Sequence, residues 1–82
     1  MLALKPNCEC CDKDLPADAA ARICSFECTF CPDCADRRLG GVCPNCGGRL
    51  EVRPTRVGVA LERFPGATER HLRAAPCPGG AT

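Results

Sequence analysis

Apolar side chains come in short groups along the first half of this chain and never form a long stripe. From Arg22 to Phe30 they alternate loosely with polar ones (Ile23, Ser25, Phe26, Thr29, Phe30), which predicts a short hairpin. Pro32 suits the first turn of a helix, where its missing N–H has no intrahelical acceptor to lose. That helix is predicted from about Asp33 to Leu39, stopped by Gly40-Gly41. Pro16-Ala17-Asp18 reads as a turn, and Leu50-Glu51-Val52 as a short closing strand. Beyond Pro54 the apolar residues Val57, Ala60, Leu61 and Phe64 return at helical spacing until Pro65, so a second short helix is predicted near 57–64. Such a helix either packs on the preceding module to enlarge its core or offers itself to a partner.

These elements bury little. The chain has 82 residues, three Phe, no Trp and no Tyr, and its 45% apolar content includes ten cysteines. The predicted core is Leu15, Ile23, Phe26, Phe30, Leu39, Val42 and Leu50. Each large side chain contributes roughly 1.5–3 kcal/mol when buried. Chains of this length commonly need a metal or disulfides to stay folded.

The cysteines are placed to provide that staple. Eight of the ten form four pairs: Cys8-x2-Cys11, Cys24-x3-Cys28, Cys31-x2-Cys34 and Cys43-x2-Cys46. A two-residue spacer lets both sulfurs of a knuckle point at one ion, and Zn²⁺ takes four thiolates tetrahedrally at about 2.3 Å. Eight ligands in four pairs make two such sites, so two Zn²⁺ per chain are expected. Iron also suits tetrahedral sulfur. The competing use of the cysteines is a disulfide scaffold, which needs an oxidising compartment and an export signal. The opening Met1 to Pro6 has no apolar stretch of that kind, and no run is long enough to span a membrane, so a cytoplasmic location is expected.

The remaining special residues stand apart from this scheme. Cys10 lies between two ligands and is an alternative to Cys11 as a metal ligand, or else a spare thiol. Cys77, in Pro76-Cys77-Pro78, reads as a free exposed thiol, and His71, the single histidine, as a solvated tail residue. A catalytic zinc keeps one position open for water. Here the ligands come in fours, all sulfur, so no enzymatic activity is expected.

Charge narrows the partners. Residues 1–50 hold six Lys and Arg against seven Asp and Glu. Eight thiolates less two Zn²⁺ add −4, so the loaded module carries about −5. Binding to nucleic acid rests mainly on neutralised phosphates, for which this module is poorly charged. The five tail arginines (Arg53, Arg56, Arg63, Arg70 and Arg73) lie between Glu51 and Arg73.

In order, the ligands read C-x2-C-x12-C-x3-C-x2-C-x2-C-x8-C-x2-C. This resembles the RING finger pattern, with Cys28 where histidine is usual. Cys28-Thr29-Phe30-Cys31-Pro32-Asp33-Cys34 and Cys43-Pro44-Asn45-Cys46 are similar to RING stretches. The resemblance implies cross-braced ligation, with Cys8, Cys11, Cys31 and Cys34 on one zinc and Cys24, Cys28, Cys43 and Cys46 on the other. Sequential pairing is geometrically open too, but makes two lobes that share almost no core. RING domains that act as ubiquitin ligases carry an aliphatic residue where this chain has Glu9 and Cys10, and an aromatic that Ala35 to Val42 lacks; Pro44 and Arg49 match. Across residues 1 to about 52 the chain is also similar to short bacterial proteins grouped as domain of unknown function 1272. That likeness implies a RING-like zinc fold without implying an activity.

The expected protein is therefore a small metal-stabilised α+β domain, RING-like and of treble-clef type. It has two cross-braced zincs, a short hairpin, one short helix and an irregular tail. Residues 1–52 form the zinc module and 53–82 a basic tail rich in Pro, Gly and Ala. Its expected role is a protein-interaction or adaptor module, with the tail or the surface around Phe30, Leu39 and Val42 as contact face. The alternatives are a nucleic-acid-binding regulatory finger using Arg37, Arg38 and the tail arginines, and a zinc-storage or redox-sensing protein responding through Cys10.

Overall fold

Ligand-spaced cysteines leave room only for short elements between them. The computed structural model describes residues 2–74 and 77. Strands β1 (Arg22–Ile23) and β2 (Thr29–Phe30) make the expected hairpin, with Arg22 opposite Phe30 and Ile23 opposite Thr29. Strand β3 (Glu51–Val52) pairs antiparallel with the other edge of β1, giving the order β2-β1-β3. The β1–β2 turn carries Cys24 and Cys28, and it closes through Glu27, whose φ is 64° and whose N–H donates to Cys24 O at 2.9 Å.

After β2 the chain winds into a π-helix over Cys34–Arg38, where Leu39 N–H reaches back five residues to Cys34 O at 3.0 Å. Helical turns of this wide kind gather at functional sites, and this one begins on a cysteine pair. Gly40 and Gly41, both at positive φ, end it as expected.

Residues 6–15 and 41–50 are two copies of one tight knuckle. In the first, Asp12 N–H donates to Cys8 O (2.9 Å), Cys8 N–H to Lys13 O (2.9 Å) and Leu15 N–H to Pro6 O (2.7 Å). In the second, Gly47 N–H donates to Cys43 O (2.8 Å), Cys43 N–H to Gly48 O (2.7 Å) and Leu50 N–H to Gly41 O (2.9 Å). The residue after the second cysteine must take positive φ to close this loop: 64° at Asp12 and 79° at Gly47. That conformation is free of Cβ strain only for glycine.

Between the knuckles lies one small core of Leu15, Ala21, Phe30, Ala35, Leu39 and Leu50, packed with Cys8, Cys24, Cys31, Cys34 and Cys43. Three predicted members are not in it: Phe26 is 74% exposed, Val42 50%, and Ile23 stays outside the cluster. Phe26 sits on the tip of the ligand-bearing turn and Val42 on the outer flank of the second knuckle. The Phe26 N–H is turned to Cys24 Sγ and the Val42 N–H to Leu39 O, and both side chains stay outside. Ile23 is half-buried. Conversely, Phe30 and Leu39 are buried, so they cannot form the contact face expected of them.

Helix α1 (Gly58–Arg63) forms inside the predicted 57–64 stretch, yet none of its residues is buried. It does not enlarge the core. The tail instead touches the module just beyond it, where a Cβ on Gly66 would stand 2.9 Å from Leu4 O and 3.2 Å from Ala17 Cβ. Ala67 N–H then donates to Ala3 O at 2.9 Å. Arg53 enters the interior, 2% exposed, and donates to Lys5 O, Leu15 O and Pro16 O. It thereby ties the start of the tail to both ends of the first knuckle. Among the described residues no helix is long and apolar enough to cross a membrane.

Candidate metal centre

The two knuckles, the β1–β2 turn and the π-helix converge their sulfurs into two groups. The Sγ atoms of Cys8, Cys11, Cys31 and Cys34 all lie within 4.8 Å of one another, as do those of Cys24, Cys28 and Cys43. Cys46 stands outside that limit, exposed at the edge of the second group, where its thiol accepts from Gly48 N–H. Each group thus draws on sequence pairs that are not neighbours. His71 joins neither group; its backbone pairs with the Asn7 side chain.

The spacing suits a tetrahedral ion. Sulfurs about 2.3 Å from one zinc stand about 3.8 Å apart at the tetrahedral angle, and Cys11 Sγ and Cys31 Sγ are 3.8 Å apart. Backbone N–H groups turn toward the sulfurs as well. Cys10 N–H donates to Cys8 Sγ at 3.4 Å and Cys34 N–H to Cys31 Sγ at 3.4 Å. Phe26 N–H donates to Cys24 Sγ at 3.3 Å and Gly48 N–H to Cys46 Sγ at 3.4 Å. These donors favour thiolate over thiol.

Without a cation the groups resist ionising fully. Burial pushes the thiols of Cys28, Cys31, Cys34 and Cys43 up, Cys43 to about 12. Repulsion from Cys8 adds to the effect at Cys31 and Cys34. At Cys8 and Cys24 burial also acts upward, but backbone N–H donors outweigh it and the pKa falls. A divalent ion removes the conflict, because its charge replaces the protons the sulfurs would otherwise hold. The donor set fits such an ion.

The other two cysteines have a different fate from the one expected. Cys10 is bonded to Cys77 in a disulfide, with Cα atoms 5.8 Å apart. Cys10 therefore does not stand in for Cys11 as a metal ligand, and Cys77 is half-buried rather than a free exposed thiol. The tail folds back over the first knuckle, which brings together residues too distant in sequence to be paired by spacing. One signal was present: eight paired cysteines out of ten leave an even remainder, and two leftover cysteines can pair.

Polar residues around the sulfurs also escaped notice in the sequence. Glu9, 2% exposed, accepts from Thr29 N–H at 2.8 Å, from Lys5 Nζ at 3.4 Å and from Asn45 Nδ2 at 3.3 Å. It thereby joins the first knuckle to β2 and to the second knuckle. The Asn45 side chain also works against the rise of the Cys28 thiol's pKa, which burial still dominates. Asn7, fully buried, donates to Asp12 Oδ1 at 3.0 Å and His71 O at 3.0 Å. None of these residues has a spacing that marks it.

The fold and site together define a small mixed α/β, cysteine-rich domain with two cysteine groups positioned to chelate metal ions. The chain belongs to the family described as Protein of unknown function (DUF1272), which matches residues 1–56. It is 56% identical over 78 residues to an uncharacterized protein of Rhizobium meliloti (strain 1021), covering 94% of this chain and 93% of that one. No solved structure gives a significant match.

Proposed function

We propose that this protein is a structural zinc module, RING-like and cross-braced, that serves as a protein-interaction or adaptor domain. The observation that carries the metal assignment is the gathering of Cys8, Cys11, Cys31 and Cys34 within 4.8 Å. One zinc takes these four sulfurs. The second takes Cys24, Cys28 and Cys43, with Cys46 swinging a short way in from the exposed edge. With four sulfurs on each ion no position is left for water, so the zincs hold the fold and do no chemistry.

The surface supports a protein partner over nucleic acid. Phe26, Val52, Val57, Val59 and Phe64 are exposed large apolar side chains, and Ile23, Val52 and Cys24 line an apolar hollow beside β3. The arginines available for phosphate are largely committed within the chain. Arg53 binds three carbonyls, Arg56 binds Phe64 O and Leu2 O, and Arg70 pairs with Asp12 and Asp14. Arg49 pairs with Glu51.

Native mass spectrometry with elemental analysis, on protein purified without chelator, tests the metal assignment. Two zinc per chain are expected; one zinc, or none in a folded chain, would sink it. The interaction role is tested by cross-linking in cells with Phe26→Asp and Val52→Asp as controls. A specific protein adduct lost in those variants is expected. A cross-linked nucleic acid in its place would overturn the choice of partner.

A further inference from the structure

Cys10 sits between Cys8 and Cys11, and its sulfur is bonded to Cys77, 67 residues further along. Residues 68–74 lie over the first knuckle as a strap. His71 O accepts from Asn7 Nδ2 at 3.0 Å, His71 N–H donates to Asn7 Oδ1 at 3.2 Å, and Arg73 N–H donates to Glu9 O at 3.0 Å. The strap is thus held by the Asn7 side chain at His71 and by one backbone bond at Arg73.

Apart from the disulfide, the strap is weakly fastened. From Thr68 to Ala74 every residue is exposed except half-buried Arg73, so almost no apolar burial holds it. The Arg70 pairs with Asp12 and Asp14 are exposed, and exposed pairs contribute little. Yet what lies beneath is dry: Asn7 is 0% and Glu9 2% exposed. Arg73 also carries the strap to the second knuckle, through Nε to Asn45 Oδ1 at 2.7 Å, while its Nη1 lies 3.6 Å from Cys77 Sγ. Asn45 in turn donates to Glu9 Oε1 at 3.3 Å. The disulfide thus stands at one end of a polar chain that ends on Glu9, the buried carboxylate that joins the two knuckles.

We infer that Cys10 and Cys77 are a reversible thiol–disulfide pair that locks residues 67–74 over the first knuckle, and that a dithiol reductant opens this strap without drawing on either sulfur group. The reductant's thiolate attacks Cys10 Sγ, and the S–S bond breaks. Cys77 departs as a thiolate facing the Arg73 guanidinium and then takes a proton. The reductant's second thiol cleaves the mixed disulfide, Cys10 leaves as a thiol, and the reductant ends as a disulfide. Two electrons and two protons have passed to the pair. Reclosure uses an oxidised low-molecular-weight disulfide such as oxidised glutathione, which leaves as two thiols. The other eight cysteines are free of disulfides, and seven of them lie in the two sulfur groups with the eighth, Cys46, beside the second. The pair is chemically separate from the metal-binding set.

The test is a redox titration of the full-length, metal-loaded protein in buffers poised with a dithiol reductant and oxidised glutathione. Alkylation with peptide mapping reads the cysteines, and amide exchange at Arg73 reads the strap. On reduction, Cys10 and Cys77 alone are expected to become alkylated, and Arg73 exchange to quicken by about tenfold or more as the strap opens locally. Cys77→Ser, which leaves the knuckle sequence intact, is expected to exchange fast even in oxidising buffer. Three results would each overturn the inference. They are alkylation of the other eight cysteines along with the pair, a Cys10–Cys77 bond that joins two chains, and Arg73 exchange that ignores the redox state.

Discussion

Residues 6–15 and 41–50 share one backbone and live in different surroundings. The three knuckle hydrogen bonds recur at equivalent places, offset by 35 residues, from Cys8 and Cys43 to Leu15 and Leu50. Their side chains diverge. Asn7 is fully buried while its counterpart Val42 is 50% exposed. Glu9 donates its N–H to Thr29 O at 2.9 Å, which its counterpart Pro44 lacks the N–H to do. Cys10 is tied to the tail by a disulfide, and its counterpart Asn45 only by a hydrogen bond to Arg73. At the strained position the first knuckle has Asp12, whose carboxylate binds Asn7 and Arg70, and the second has Gly47. Two cysteines and a two-residue spacer are enough to shape a knuckle. Whether it is covered depends on residues elsewhere in the chain.

The largest effect expected is from metal removal. Structural zinc contributes on the order of 10–16 kcal/mol in small fingers, more than this thin core can replace. A strong chelator at neutral pH should collapse amide dispersion in both knuckles together. A first knuckle that stays folded while the second melts would break the symmetry, and would credit the strap and its disulfide with holding it.

Next in size is the paired substitution at Asn7 and Val42. Asn7→Ala strips partners from the buried strap contacts, and leaving such groups unsatisfied costs about 1–3 kcal/mol. Val42→Ala at the equivalent exposed position should stay within about 0.5 kcal/mol. Denaturant melts of the metal-loaded variants compare them directly. Equal losses at the two positions would mean that the strap does not distinguish the knuckles.

The smallest contrast concerns the turn residue. Gly47→Ala forces a Cβ into a left-handed conformation, at about 1–2 kcal/mol. Asp12→Gly relieves that strain and loses the contacts to Asn7 and Arg70, so its net change should lie under about 1 kcal/mol. Thermal melts at fixed metal concentration read both. A larger loss for Asp12→Gly than for Gly47→Ala would show the first knuckle relying on its side-chain contacts more than on its turn.

Several elements were legible in advance because their signals are local. The hairpin around Ile23 and Phe30, the helix stopped by Gly40-Gly41 and the strand at Glu51–Val52 follow from alternation and breakers within a few residues. The core was legible only in part. Leu15, Phe30, Leu39 and Leu50 are buried, but Phe26 and Val42 are apolar residues on turns that face out. The tail was the least legible. Apolar spacing foretold α1, but could not reveal that the helix stays exposed while Arg53, Gly66 and Cys77 make the contacts.

The sequence by itself determined the knuckles and the number of sulfurs at hand, because a two-residue spacer and a residue tolerant of positive φ act over one turn of chain. It also determined that the core would be thin, since burial cannot exceed the apolar residues present. The likeness to RING spacing already implied which cysteine pairs converge, but only the tertiary structure decided that Cys10 meets Cys77, and that Glu9, Asn45 and Arg73 link the knuckles and the tail. Those contacts span 28 to 67 residues. At such separations the partners are chosen by how the whole chain packs, and local spacing carries no record of it.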